Sequence, residues 1–152
     1  MSDITMQVSI PADNDGFVLL QCPLCSEYFK ITPQDYEDDG ILELRCPGCG
    51  LTSENYFTED VIDLAMTMTK NYAMYMIHDE MKKLERKFKS KSVSFTAGKK
   101  PVPESESPIR AIIEALTKTH FPCCKRYAKI KPLSKISGYY CPFCGVKHFG
   151  IE

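Results

Sequence analysis

The stretch GFVLLQCPLCSEYFKI, residues 16–31, reads as a strand, a tight turn carrying Cys22 and Cys25, and a second strand. Residues 41–57, ILELRCPGCGLTSENYF, repeat that plan around Cys46 and Cys49. Two intervening residues let both sulfurs of one turn reach a single ion at about 2.3 Å, and two such turns complete a tetrahedron. With 20 residues between Cys25 and Cys46 the spacing is that of a four-thiolate zinc site. Gly50 permits the positive φ with which the second turn closes, its amides aimed at the thiolates. Four sulfurs leave no position for water, so this site is expected to be structural. Between the turns, Thr32 suits a helix N-cap, Pro33 the first helical position, and Gly40 the end of a single helical turn.

A second, shorter copy lies near the C-terminus. CKRYAKI, residues 124–130, aligns with CSEYFKI, residues 25–31, and YCPFCGV, residues 140–146, aligns with RCPGCGL, residues 45–51. This register puts Phe121 where Cys22 stands, so one ligand must be replaced. Cys124, Cys141 and Cys144 are the expected ligands. Cys123 is expected as the fourth despite the cramped chelate of adjacent cysteines. His120 is the alternative, since with Cys123 it restores the two-residue gap at a shift of one. His148, four residues past Cys144, is a further donor within reach.

On these knuckles the chain resembles the zinc-ribbon superfamily, with its transcription-factor-type and rubredoxin-like knuckles. The resemblance covers about half the chain and departs from the pattern at Phe121. It implies two bound Zn2+ ions and a protein that binds nucleic acid or other proteins rather than an enzyme; the same knuckles serve many functions. Other readings of the cysteines fare worse. No apolar run with a basic leader begins the chain, so a cytoplasmic protein with reduced thiols is expected, and there paired cysteines bind metal more often than they form disulfides. Cys141-Pro-Phe-Cys144 has the form of a redox dithiol, but that chemistry needs a following helix to lower the first thiol's pKa, and Gly145 and Gly150 interrupt the few residues left. His78-Asp79-Glu80 has the His-x-Glu of zinc deaminases without the Pro-Cys-x-x-Cys partner. No nucleophile–base set or phosphate loop is present, and no enzyme is expected.

Between the knuckle regions, neither proline nor glycine occurs from Thr58 to Thr96. Apolar residues fall at Val61, Ala65, Met68 and Tyr72, then at Ile77, Met81, Leu84 and Phe88, each set spaced 4-3-4. The five-residue step between the sets suggests an amphipathic helix with a slight phase drift, capped by Thr58 and ending in the basic run near Ser90. Its length suits packing against a second copy or a protein partner through residues 58–90. SVSFTAGKKPVPESESP, residues 92–108, has linker composition. IRAIIEALTK, residues 109–118, suggests a short helix with Ile109, Ile112, Ile113 and Leu116 on its apolar face.

The expected fold is therefore a small α+β, metal-stabilised protein: two β zinc ribbons joined by a long amphipathic α-helix and a linker. Its parts are an acidic N-terminal ribbon at 1–57, the helix at 58–91, the linker at 92–107, and a short helix with a basic C-terminal ribbon at 108–152. No apolar stretch approaches the roughly 20 residues needed to span a bilayer, and no membrane association is expected.

Charge divides the chain as strongly as the cysteines do. Residues 1–60 carry 12 acids and 2 bases, whereas residues 109–152 carry 2 acids and 8 bases. In the C-terminal ribbon Lys125, Arg126, Lys129, Lys131 and Lys135 interleave with Tyr127, Tyr139, Tyr140 and Phe143, so cations could meet phosphates while rings stack on bases. Nucleic-acid binding through Lys125, Arg126, Tyr127, Lys129, Lys131 and Lys135 is the first functional expectation. The alternative is a protein–protein adaptor or subunit of a larger complex, acting through the acidic ribbon and the Met-rich helix.

Overall fold

The computed structural model describes residues 4–89, 94–109 and 115–150. Its elements are β1 (Val18–Gln21), β2 (Tyr28–Ile31), α1 (Pro33–Tyr36), α2 (Glu59–Lys87), β3 (Thr117–Phe121), β4 (Arg126–Ile130), α3 (Ser134–Ser137), β5 (Tyr139–Tyr140) and β6 (Lys147–His148). They form a small α+β protein with one long helix. Residues 9–59 and 109–152 form one compact unit, and residues 1–8 and 60–108 form another. Among the described residues no helix is long and apolar enough to cross a membrane.

What joins the two cysteine regions is a four-stranded antiparallel sheet of order β1-β2-β4-β3. Each hairpin alone would expose an edge of unpaired amides and carbonyls, and the β2–β4 pairing removes two of those edges at once. The halves meet about a local pseudo-two-fold axis. Val18 pairs with Ile31 and the equivalent Thr117 with Ile130, while Lys30 lies directly opposite its own equivalent, Lys129. Away from the sheet the symmetry returns. The Arg45 amide donates to the Pro142 carbonyl at 2.8 Å and the Tyr140 amide to the Pro47 carbonyl at 2.9 Å. Such reciprocal contacts mark an isologous interface, here within one chain.

Between the halves lies one core. Leu20, Phe29, Ile31, Phe121, Ala128 and Ile130 point inward from alternate strand positions, joined by Tyr56, Tyr139, Phe143 and the buried Cys22, Cys46 and Cys141. Sizes compensate across the axis: Ala128 stands where the other half has Phe29, and Phe121 where it has Cys22. Total volume is what a core conserves.

Thr117 and Lys118, expected at the end of a short helix, instead begin β3. Pairing with β4 overrides local helical preference there. The middle of that expected helix, residues 110–114, lies outside the described residues. The single helical turn forms as α1, with the Thr32 hydroxyl accepting from the Asp35 amide at 3.3 Å.

On the outer face of the sheet two lysines oppose one another at the axis, an arrangement that like charges disfavour. Asp13 answers it. One carboxylate oxygen accepts from Lys129 at 2.7 Å and Lys30 at 3.2 Å, and the other from the amides of Asp15 and Phe17. Burial would raise this carboxyl's pKa, but those donors outweigh it and hold the group well below the usual carboxylate range. Replacing Asp13 with alanine should cost about 2–3 kcal/mol, the scale of hydrogen bonds to charged groups. Because the folded pKa is depressed, the contribution is complete above the unfolded value near 4 and fades only as pH falls towards the folded one. The gap between wild type and Asp13→Ala in urea melts should therefore stay flat from about pH 5 to 8, and a gap that grows or shrinks across that window would disprove the account.

In the other unit, α2 spans 29 residues and bears a companion segment. The Asn71 side chain donates to the Glu104 carbonyl at 2.9 Å and accepts from the Glu104 amide at 2.8 Å. Lys70 pairs with the Glu104 carboxylate, and Lys100 sits 5.3 Å from the centre of the Tyr75 ring. Part of the expected linker is thus laid along the helix, antiparallel to it. The expected slight phase drift is larger than a drift. Five residues turn the helix about 140° beyond one full turn, so the set from Val61 to Tyr72 faces a different side from the set Ile77, Leu84 and Phe88. Val61 is buried, and Ala65, Met68 and Tyr72 are half-buried, whereas Ile77, Leu84 and Phe88 are exposed.

Candidate metal centres

Each half of the sheet unit supplies its sulfurs from two tight turns. In the first, the Ser26 amide donates to the Cys22 carbonyl at 2.9 Å, and the Gly50 amide to the Cys46 carbonyl at 2.8 Å. In the second, the Cys124 amide donates to the Phe121 carbonyl at 3.2 Å and the Gly145 amide to the Cys141 carbonyl at 2.9 Å. Gly50 and Gly145 have φ of 72° and 79°. A Cβ at Gly50 would meet the Tyr140 ring at 2.8 Å, and one at Gly145 would meet the Arg45 side chain at 2.5 Å. Turn handedness therefore requires both glycines, and at Gly50 the rigid Tyr140 ring of the opposite half requires it a second time.

Two sets of four thiols converge, Cys22, Cys25, Cys46 and Cys49 in one and Cys123, Cys124, Cys141 and Cys144 in the other, with all sulfurs of a set within 4.8 Å of one another. Cys22 lies 3.8 Å from Cys49 and Cys25 3.5 Å from Cys46; Cys124 lies 3.8 Å from Cys141 and Cys123 3.5 Å from Cys144. A tetrahedron whose corners sit about 2.3 Å from its centre has edges of about 3.8 Å. The sulfurs thus already outline a cage for a thiolate-bound divalent ion, and they are far from the roughly 2.05 Å of a disulfide.

The electrostatics fit the same occupant. Burial pushes the Cys46 and Cys141 thiols well up, and that of Cys124 up to about 11. Against that trend the amides of Cys25 and Leu24 bring Cys22 below its ordinary value despite burial, and the Val146 amide does so for Cys144. Clustered sulfurs, some held back from ionising by burial and others favoured as thiolates by amides, are satisfied by a cation at their centre.

His120 is not in the second quartet. It lies against Tyr127 on the outer face of the sheet, the rings tilted by 49° with centroids 4.9 Å apart. His148 is close by but outside the four, its Nε2 3.3 Å from the Cys123 sulfur, its ring stacked on Tyr139 and edge-on to Phe121. With its proton on Nε2 the ring would donate to that sulfur and orient it. Sequence spacing marked His148 as reachable; only the β5–β6 pairing, Tyr139 with His148, brings it there.

The cations of the C-terminal half meet acids of the N-terminal one. Arg126 pairs with Asp35 at 2.5 Å and Asp38 at 2.7 Å, Lys129 with Asp13 and Asp15 at 2.7 Å each, and Lys131 with Glu27 at 3.1 Å. Lys125 is exposed with a left-handed φ of 54°, matching Ser26 in the other half, and Lys135 lies in α3. Among the interleaved rings, Tyr139 and Phe143 are core residues, Tyr140 packs over Gly50, and Tyr127 is 47% exposed. Comparison with known protein families, with curated proteins and with solved structures finds no match.

Proposed function

We propose that this is a non-enzymatic zinc protein whose two four-cysteine sites staple a two-ribbon unit, and that it acts as an interaction module towards other protein surfaces rather than towards nucleic acid. Zinc is favoured because four thiolates in a closed tetrahedral set suit its size and lack of geometric demands. The observation that carries the choice of partner is the cross-ribbon pairing: Arg126, Lys129 and Lys131 are occupied by Asp35, Asp38, Asp13, Asp15 and Glu27. Phosphate would have to compete with carboxylates already in place, at sites where each zinc-loaded quartet adds a net charge of about −2. Apolar side chains flank the first site instead, with Leu24 59% and Leu51 54% exposed beside its ligands.

Nucleic-acid binding remains as a second reading on one specific surface: Lys118 lies 4.9 Å from the centre of the exposed Tyr127 ring, near His120. Fluorescence anisotropy with mixed single- and double-stranded oligonucleotides separates the two. Zinc-loaded protein should show no saturable binding at about 50 mM salt. Micromolar affinity that falls by orders of magnitude between about 50 and 200 mM salt, as several phosphate contacts would require, would transfer the function to the Lys118–Tyr127 face.

A further inference from the structure

Helix α2 carries an apolar stripe on the side away from Asn71 and Tyr75. Met66, Ile77 and Phe88 recur every 11 residues, with Ala73 and Leu84 between them, a spacing of 7-4-7-4. An 11-residue repeat advances only about 20° beyond three whole turns, so the stripe stays on one face for about 33 Å. Met66 is 66% exposed, Ile77 62%, Leu84 43% and Phe88 55%. Phe88 belongs to the stripe although it follows the last residue of α2, because its amide still donates to the Leu84 carbonyl at 2.9 Å. Large side chains at such levels on one line are an exposed patch, and patches of this kind mark contact surfaces.

We infer that the stripe is covered by α2 of a second copy of this chain, running antiparallel. The inference rests on the interaction-module reading and names its partner. Charge along the helix selects the occupant and the direction. The first turns carry Glu59, Asp60 and Asp63 with no base before Lys70, whereas the last turns carry Lys82, Lys83, Arg86, Lys87 and Lys89 against Asp79, Glu80 and Glu85, of which Glu80 pairs with Lys83 and Glu85 with Lys82, and so keep a net positive charge. A parallel pair would set acid beside acid and base beside base. An antiparallel pair sets each acidic end against a basic one. The apolar register agrees. Ile77 is the midpoint of the stripe, so in a two-fold antiparallel pair it faces itself, Met66 faces Phe88, Ala73 faces Met81, and Leu84 faces Lys70, whose methylene stem can lie over it. Small beside large at Ala73 and Met81 is how facing ridges interlock at the roughly 8–10 Å separation of packed helices.

Sedimentation velocity on the full zinc-loaded chain, from about 1 to 100 µM, should give a concentration-dependent monomer–dimer equilibrium. Ile77→Asp, which sets two carboxylates face to face in the pair, should weaken dimerisation by about a hundredfold or more. Because Ile77 is exposed, the variant should keep its helical circular dichroism and its zinc content. A photo-crosslinking residue at position 66 should link to the region of Phe88 on the other copy. A wild-type chain that stays monomeric at about 100 µM, an Ile77→Asp variant that dimerises undiminished, or a crosslink from 66 to 66 each overturns the proposal. Oligonucleotide anisotropy on the same samples keeps the outcomes apart. A monomer without oligonucleotide affinity removes the second copy but not the module reading, while oligonucleotide affinity removes that reading whatever the mass.

Discussion

Removal of metal is expected to unfold the four-stranded unit as a whole, and loss of one site should weaken the other. The scale decides this. Binding to a structural four-ligand zinc site is worth about 10–16 kcal/mol of apparent free energy, while a whole domain is stable by about 5–15 kcal/mol. About a dozen buried residues shared between two short hairpins cannot replace that contribution. Native protein should contain two zinc ions per chain by mass spectrometry. Chelation should abolish the near-ultraviolet dichroism of Tyr56 and Tyr139, the chain having no tryptophan. Cys123→Ser should lower the stoichiometry towards one, and His120→Ala should leave it at two. Cys46→Ser should empty the first site and also reduce affinity at the second. The coupling runs through the Arg45–Pro142 and Tyr140–Pro47 hydrogen bonds, each of which joins a turn of one site to a turn of the other. A metal-free chain that still melts cooperatively with its tyrosine signal intact would remove the basis of the whole account.

Phe121→Ala should be the most damaging substitution outside the cysteines, at about 3–5 kcal/mol in urea melts with saturating zinc. Phe121 is fully buried, with ring centroids 5.6 Å from Tyr139, 6.3 Å from Phe143 and 5.9 Å from His148, all edge-on. Truncation removes three aromatic contacts and opens a cavity under the second site. His148 would then lose the wall that holds it against Cys123, so zinc affinity at that site should fall about 10- to 100-fold, as loss of an orienting partner does. Phe121→Leu, which keeps most of the volume, should recover more than half of the stability. A loss below about 1 kcal/mol for the alanine variant would show that the ring is not what supports the site.

Much of this was readable in residue order alone, because it depends on neighbours in the chain. The Cys-x-x-Cys turns, the glycines that close them, the helical turn begun by Thr32 and Pro33, and the uninterrupted helix after Thr58 are all set by local geometry. The internal repeat was also legible, and even the anomaly at Phe121 showed in the register. Spacing alone left open which of Cys123 and His120 joins the second quartet. In the fold His120 lies on the outer face of β3, tilted against Tyr127, while the Cys123 sulfur lies 3.5 Å from that of Cys144.

Residue order was enough to establish two sets of paired cysteines and one long helix, since ligand spacing and helical periodicity are properties of a few consecutive residues. It also carried a strong charge imbalance, which invited an external phosphate partner. Where that charge is neutralised emerges from the folded chain: Asp13, Asp35 and Asp38 lie some ninety to more than a hundred residues from Arg126 and Lys129 in the chain, yet touch them in the fold. The pairing of β2 with β4 brings them together, and a contact between strands so distant in sequence leaves no periodic trace in either segment.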